Sequence, residues 1–293
     1  MGYKVDNAVI LAAGISSRFA PISYERPKAL IEVRGEVLIE RQIRQLLERD
    51  ITDIILVTGY MKEQFYYLKG KYPVTIIENK DYLIRNNNSS IYAARKYLKN
   101  TYICSADNYF MINPFEKEVA ESYYAASFAS GHTDEWCIKT DDDDFITEVR
   151  IGGNRQWYLL GHVFWSEEFS SNFIQILEAI YNKNSSKNMF WEDIWLENLQ
   201  QLKMKIRRYP EKQIYEFDSL DELRSFDSKY INHSGSAVMH KISDMLNCDE
   251  GKLTNIKPLK TDMEEVIGIS FDYNNKRYQF IYTNDLLAPI PKG

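Results

Sequence analysis

Along the first hundred positions, short runs of apolar residues alternate with stretches whose apolar residues return every three or four places. Ala8-Val9-Ile10-Leu11-Ala12-Ala13 is the first run, and Ile54-Ile55-Leu56-Val57-Thr58, Val74-Thr75-Ile76-Ile77 and Thr101-Tyr102-Ile103-Cys104-Ser105 repeat it. Runs of this length, mostly apolar and rich in β-branched residues, predict strands buried on both faces. Between them, Val37 to Asp50 carries apolar residues at 39, 43, 46 and 47, Met61 to Lys71 is amphipathic, and the polar Asn86 to Ser90 precedes a helical stretch ending near Leu98. Strands alternating with helices predict right-handed βαβ crossovers: an α/β fold, doubly wound, with a mainly parallel sheet. Ligands of such sheets sit beyond the carboxyl ends of the strands. That edge here would gather Leu11-Ala12-Ala13-Gly14, Gly59-Tyr60, Asn87 with Ser90, and Ala106-Asp107.

The pattern changes after residue 120. Ala125 to Ala129, Trp136 to Thr140, Ile146 to Ile151 and Tyr158 to Trp165 predict four short strands of a meander, separated by turns at Asp141 to Asp144 and Gly152-Gly153. Four consecutive aspartates lack the spaced ligands of a calcium loop and predict a solvated turn. Helices are expected over about 167–181 and 191–201, then strands at 205–209 and 214–219, with Ser219 capping a further helix. Asn232 to Ala237 has linker composition and sets an expected boundary: domain 1–231, followed by a small α+β appendage over 232–293. Within the appendage, a helix over 238–246 and a hairpin turning at Asn274-Asn275 are expected.

Composition narrows the function. With 293 residues and 44% hydrophobic content the chain can bury a large core, and a net charge of −6 argues against a general nucleic-acid binder. No apolar run reaches the roughly 18 residues of a membrane-spanning helix, and the start carries no signal-peptide pattern. Three widely spaced cysteines, Cys104, Cys137 and Cys248, point to no disulfide framework, so a cytoplasmic location is expected.

The first strand runs into Gly14, Arg18, Pro27 and Lys28. Small residues there let backbone N–H groups approach an anion, and two cations ten residues apart can reach the same phosphates. Transfer to a phosphate that already repels its attacker needs a cation held by one or two carboxylates. Asp107 and Asp218, each just past a strand, are placed for that.

The string Leu11 to Lys28 resembles the L-A-A-G-x-G-x-R-(x)n-P-K signature of sugar-phosphate and alcohol-phosphate nucleotidyltransferases, with Ser16 where the second glycine usually stands. The resemblance narrows to the bacterial CTP:phosphocholine cytidylyltransferases and extends over about residues 5–231. It is carried further by Lys62 to Phe65, Ala106 to Tyr109, Asp134-Glu135-Trp136, Asp193 to Asn198 and Ile214 to Ser219. It implies a Rossmann-like nucleotidyltransferase that moves CMP from CTP to phosphocholine and releases pyrophosphate. Arg18 and Lys28 would be catalytic, and Asp107, Asp218 and Glu216 would serve Mg²⁺. Leu11, Ala12, Ala13, Gly14, Gly59, Tyr60, Asn87, Ser90 and Ala106 would bind the nucleotide. Trp136 and Trp195 would enclose a quaternary ammonium, which aromatic faces recognise, with Glu135 and Asp193 adding negative charge.

Two alternatives stand beside this reading. One is another phosphorylated amino alcohol or an aminophosphonate as acceptor, 2-aminoethylphosphonate foremost. The other is an inactive binding or regulatory protein on the same scaffold, against which the presence of Arg18, Lys28, Asp107 and Asp218 argues. The appendage resembles the start of a choline-kinase-type lobe, with Thr261 to Val266 just before its strand pair. It has no room for a kinase catalytic loop, and a non-catalytic role in homodimerisation or docking is expected.

Overall fold

The structure, a computed structural model, describes residues 2–261 and 265–291, so Asp262 to Glu264 of the Thr261 to Val266 segment lie outside the described residues. The chain divides into two compact units, Met1–Gly14 with Leu38–Glu216 and Ile15–Val37 with Phe217–Gly293. This partition differs from a boundary at residue 231, because it groups the signature loop with the C-terminal segment.

The larger unit is built on the expected sheet. Strands β1 (Asn7–Ala12), β2 (Ile54–Thr58), β3 (Val74–Glu78) and β4 (Thr101–Ser105) run parallel in the order β4-β1-β2-β3. Val9, Ile10, Ile55 and Leu56 have no exposed surface, as the continuous apolar runs require. Two helices anticipated from the sequence are present, α1 (Leu38–Leu47) and α2 (Asn88–Ala94). The amphipathic stretch from Met61 instead forms two short turns of helix, Lys62–Phe65 and Leu68–Lys71.

Beyond β5 (Asn108–Phe110), the anticipated four short strands are two long ones, β6 (Tyr123–Thr140) and β7 (Ile146–Trp165). They pair antiparallel, with register shifts at several points from Tyr124 to Thr140. Each shift interrupts the two-residue alternation, which is why the sequence reads as separate pieces. β7 also pairs antiparallel with β4, and β8 (Lys205–Arg208) completes the seven-stranded sheet alongside β6. Helices α3 (Glu167–Ile180) and α4 (Trp191–Leu196) pack on it around Trp165, Phe173, Leu177, Trp191 and Trp195.

His162 of β7 is fully buried, its Nε2 2.8 Å from the Tyr123 hydroxyl and its ring among Tyr102, Phe110 and Phe115. Burial, with a smaller contribution from the Arg207 charge, pushes its pKa down to about 3. The unfolded chain therefore takes up a proton near pH 6.5 that the folded chain refuses. Stability is complete above that pH and is lost as pH falls toward 3. Between pH 6.5 and 4 the wild type is expected to lose about 3 kcal/mol more than a His162→Gln variant. Denaturant melts across that range check this, and parallel curves would contradict it.

The smaller unit carries the signature loop and the chain from Phe217 onward. In the larger unit, β9 (Ile214–Glu216) pairs antiparallel with β5. In the smaller unit, α5 (Leu220–Phe226) and α6 (Ala237–Leu246) precede a four-stranded antiparallel sheet. Its strands are β10 (Thr254–Lys260), β11 (Val266–Tyr273), β12 (Lys276–Ile281) and β13 (Leu286–Pro289). The hairpin turns at Asn274-Asn275, both at positive φ, as two-residue turns of this hand require. The outer strands β10 and β13 are additions to the expected pair. Among the described residues, no helix is long and apolar enough to cross a membrane.

Candidate active site

In the larger unit, parallel pairing brings the expected nucleotide-binding segments side by side. Ala12 registers with Thr58 and Leu11 with Ser105, so Ala13-Gly14, Gly59-Tyr60 and Ala106-Asp107 all lie past the same sheet edge. Backbone bonds tie them: the Tyr60 N–H donates to the Ala13 carbonyl at 3.1 Å, and the Ala106 N–H to the Leu11 carbonyl at 3.1 Å. A Cβ on Gly59 would stand 2.7 Å from the Tyr82 ring and 2.9 Å from the Ala13 carbonyl oxygen, so packing alone demands glycine there. A Cβ on Gly14 would meet nothing within 4 Å, so packing makes no such demand at the signature glycine.

The turn that presents Asp107 is clamped from behind. The buried Gln42 of α1 donates its amide to the carbonyls of Ser105 and Asn108, both at 2.8 Å, and the Ser105 hydroxyl donates to the Asp107 carboxylate at 2.6 Å. The β5–β9 ladder sets Glu216 opposite Asn108. Its carboxylate faces the Asn108 amide at 3.5 Å.

Asn87 and Ser90 occupy the start of α2, and their side chains serve the protein. The Ser90 hydroxyl accepts from the Asn79 amide at 3.1 Å. Asn87 accepts from the Trp191 N–H at 2.7 Å and donates to Glu192 at 3.1 Å, so it joins α2 to α4.

The acceptor residues divide. Trp136 is half-buried in β6 and meets the exposed Phe190 edge to face, ring centres 6.0 Å apart, while Glu135 beside it is exposed. Trp195 does not join them. It is fully buried against Trp191 and Tyr124, and its indole N–H donates to the Leu202 carbonyl at 2.8 Å, which makes it a core residue with no ring face for a ligand. Asp193 caps α4 by accepting from the Phe190 N–H at 2.7 Å. The ring that meets Trp136 is that of Phe190, not Trp195.

Sequence reasoning also passed over Glu192. Burial pushes its carboxyl up to about 7, although Asn87 and Tyr124 both donate to it. The phenol of Tyr158 is pushed up by burial, and the negative charges of Glu135, Glu211 and Glu216 reinforce that shift. The signal available in the sequence was the place of Glu192 directly before Asp193, which the resemblance already marked.

In the smaller unit, Ser16 adopts the left-handed conformation, φ 55° and ψ 48°. That is the geometry the signature's usual glycine takes at least strain. The loop then turns through Ser17–Phe19, Ile22–Tyr24 and Lys28–Leu30. Both cations converge on one carboxylate: the Arg18 guanidinium lies 2.8 Å and the Lys28 ammonium 3.7 Å from Asp218. Arg18 is largely exposed, whereas Lys28 is 5% exposed, its ammonium 5.8 Å over the Phe19 ring. Asp218 is fixed at the backbone, its N–H donating to Glu222 at 2.8 Å, while Ser219 caps α5 by accepting from the Glu222 N–H. Among the described residues, no three His, Cys, Asp or Glu side chains form a cluster able to hold a metal ion by themselves.

The parallel sheet of the larger unit, with its small-residue strand ends, is the scaffold of a nucleotidyltransferase. The MobA-like NTP transferase domain matches residues 8–178, more than half of the chain, and the chain belongs to that family. More particularly, it is homologous to bacterial cytidylyltransferases. It is 33% identical over 220 residues to the choline-phosphate cytidylyltransferase of Streptococcus pneumoniae, covering 75% of this chain and 96% of that one. It is 36% identical over 231 residues to the 2-aminoethylphosphonate cytidylyltransferase of Lancefieldella rimae, covering 77% and 93%. The solved CTP:phosphocholine cytidylyltransferase from Streptococcus pneumoniae superposes with a TM-score of 0.74 at 32% identity, over 77% of this chain and 99% of that one.

Proposed function

We propose that this enzyme transfers CMP from CTP to phosphocholine. A phosphate oxygen of the acceptor attacks the α-phosphorus, the bond to the β-phosphate bridging oxygen breaks, and pyrophosphate leaves with the electron pair. Arg18 and Lys28 take the triphosphate charge. Arg18 is exposed, and a surface ion pair contributes about 1 kcal/mol or less, so exchanging the Asp218 carboxylate for a phosphate costs little. Lys28, buried and anchored on the loop, is a preorganised cation whose charge is worth more where water is excluded. The backbone N–H groups of the Ala13-Gly14 segment approach the phosphates, and the open space beside Gly14 supports that use.

Mg²⁺ takes one or two protein carboxylates and completes its shell with phosphate oxygens and water, and Asp107, Asp218 and Glu216 are the carboxylates assigned to it in this proposal. When bound, the ion would neutralise phosphate oxygens and align the leaving pyrophosphate. Gln42 and Ser105 keep the Asp107 carboxylate aimed, and Glu222 holds the backbone of Asp218.

One observation carries the choice of a cationic acceptor: Trp136 meets Phe190 edge to face, and Glu135, next to Trp136 in β6, is exposed. A quaternary ammonium donates no hydrogen bond and is held by aromatic faces. The second reading, 2-aminoethylphosphonate, is favoured by the Lancefieldella rimae relative and by the carboxyl of Glu192, which a primary ammonium can meet as donor.

The test is kcat/KM for both acceptors. Trp136→Ala is expected to cost phosphocholine about 1 to 2 kcal/mol, the range for a desolvated cation on an aromatic face, and 2-aminoethylphosphonate less. If the wild type favours 2-aminoethylphosphonate tenfold or more and Trp136→Ala scarcely matters, the second reading replaces the first.

A further inference from the structure

The C-terminal segment is bonded to the signature loop at the residues between the two catalytic cations. Glu25 lies between Arg18 and Lys28 in the chain, and its carboxylate sits at the start of α6. One oxygen accepts from the Ser236 hydroxyl at 2.6 Å and the Val238 N–H at 3.2 Å, the other from the Ala237 N–H at 2.9 Å. Ser236 itself accepts from the Met239 N–H at 3.1 Å. The first three N–H groups of this ten-residue helix are therefore all satisfied, two of them by one carboxylate of the signature loop.

The next residue repeats the attachment. Arg26 donates to the Gly235 carbonyl at 2.7 Å, and Gly235 has φ +70°. A Cβ there would stand 3.2 Å from the guanidinium, so the backbone conformation and the close approach both suit glycine. Around these bonds, Tyr24 meets Tyr282 with ring centres 6.2 Å apart, and β10 packs on the Ser17–Phe19 turn that carries Arg18. The far end of α5 is joined to the same segment: the buried Arg224 donates to the carbonyls of Leu253 at 2.6 Å and Glu250 at 2.8 Å. Asp218, which holds Arg18 and Lys28, lies just before that helix.

We infer that the C-terminal segment is a positioning device for nucleotidyl transfer, with Glu25 as its key residue: by capping α6 it fixes the stretch of loop that sets Arg18 and Lys28 on the phosphates. This rests on the proposed role of those two cations. Charge-assisted bonds to three donors hold more firmly than neutral ones, and small displacements of catalytic groups lower turnover steeply.

The experiment compares full-length wild type, Glu25→Ala and Glu25→Gln by steady-state pyrophosphate release and by hydrogen exchange of loop peptides. Glu25→Ala is expected to lower kcat about tenfold with the acceptor KM unchanged, and to speed exchange over residues 16–28 as well as 236–240. Glu25→Gln, which keeps one neutral acceptor oxygen, should restore the rate only in part, to about a third of wild type. Should Glu25→Ala fail to fold, Glu25→Gln carries the test with a loss of threefold or more in kcat. The inference is overturned if kcat stays within twofold of wild type while exchange rises over 236–240 alone, which is the behaviour of a merely structural contact. If the wild type transfers no nucleotide at all, the proposed function fails instead. Loop exchange then still decides whether Glu25 orders residues 16–28.

Discussion

Asp107→Ala and Asp218→Ala are each expected to reduce turnover to less than a tenth of wild type with saturating Mg²⁺, while leaving the fold intact. Each removes a carboxylate that the proposed reaction assigns to the ion, and the charge on a triphosphate attacked by a phosphate monoester then goes uncompensated. The fold should survive for different reasons at the two sites. Asp107 sits in a turn held by Gln42 through the Ser105 and Asn108 carbonyls, which the substitution does not touch. Asp218 keeps its backbone bond to Glu222, and the side chain lost is 32% exposed. Its absence does leave Lys28 without that carboxylate, so a modest fall in thermal stability accompanies the loss of rate. Kinetics at several Mg²⁺ concentrations, with circular dichroism of each variant, check both. Activity above a tenth of wild type in either would remove that residue from the metal site.

The second large effect is at the cations. Lys28→Ala should lower kcat/KM about 100-fold or more, as removal of a preorganised charge does where charge develops in the transition state. Arg18→Ala should act in the same direction. The burial of Lys28 and the exposure of Arg18 predict the larger loss at Lys28, because a solvated charge stabilises less. A change confined to thermal stability, with unaltered kinetics, would return both to a structural role.

How far the sequence revealed this arrangement depends on the range of the interactions. The parallel strands are legible because burial on both faces leaves a continuous apolar run, as in Ile54 to Val57. Strand ends then place Ala13-Gly14, Gly59-Tyr60 and Ala106-Asp107 together with no further information. The long ribbon is less legible, because its register shifts break the alternation that marks a strand. Trp195 misleads for a related reason: an aromatic residue in a short helix can face a ligand or the core, and only the packing of Trp191 and Tyr124 settles which. Glu192 gives no sign in the sequence of its near-neutral pKa, which arises from burial brought about by the fold. The grouping of the signature loop with the C-terminal segment is the least legible. It depends on bonds such as Glu25 to Ser236, 211 positions apart, for which no local periodicity exists.

The central claim is that this enzyme transfers CMP from CTP to a small phosphorylated acceptor with a cationic head. Pyrophosphate release, measured with CTP, ATP, GTP and UTP each against phosphocholine, phosphoethanolamine, 2-aminoethylphosphonate and glucose 1-phosphate, tests it most directly. The account predicts release that depends on CTP and on an amino-bearing acceptor, fastest with phosphocholine, with one cytidine diphospho-product formed for each pyrophosphate. Release that is fastest with another nucleotide, or with glucose 1-phosphate, would contradict it.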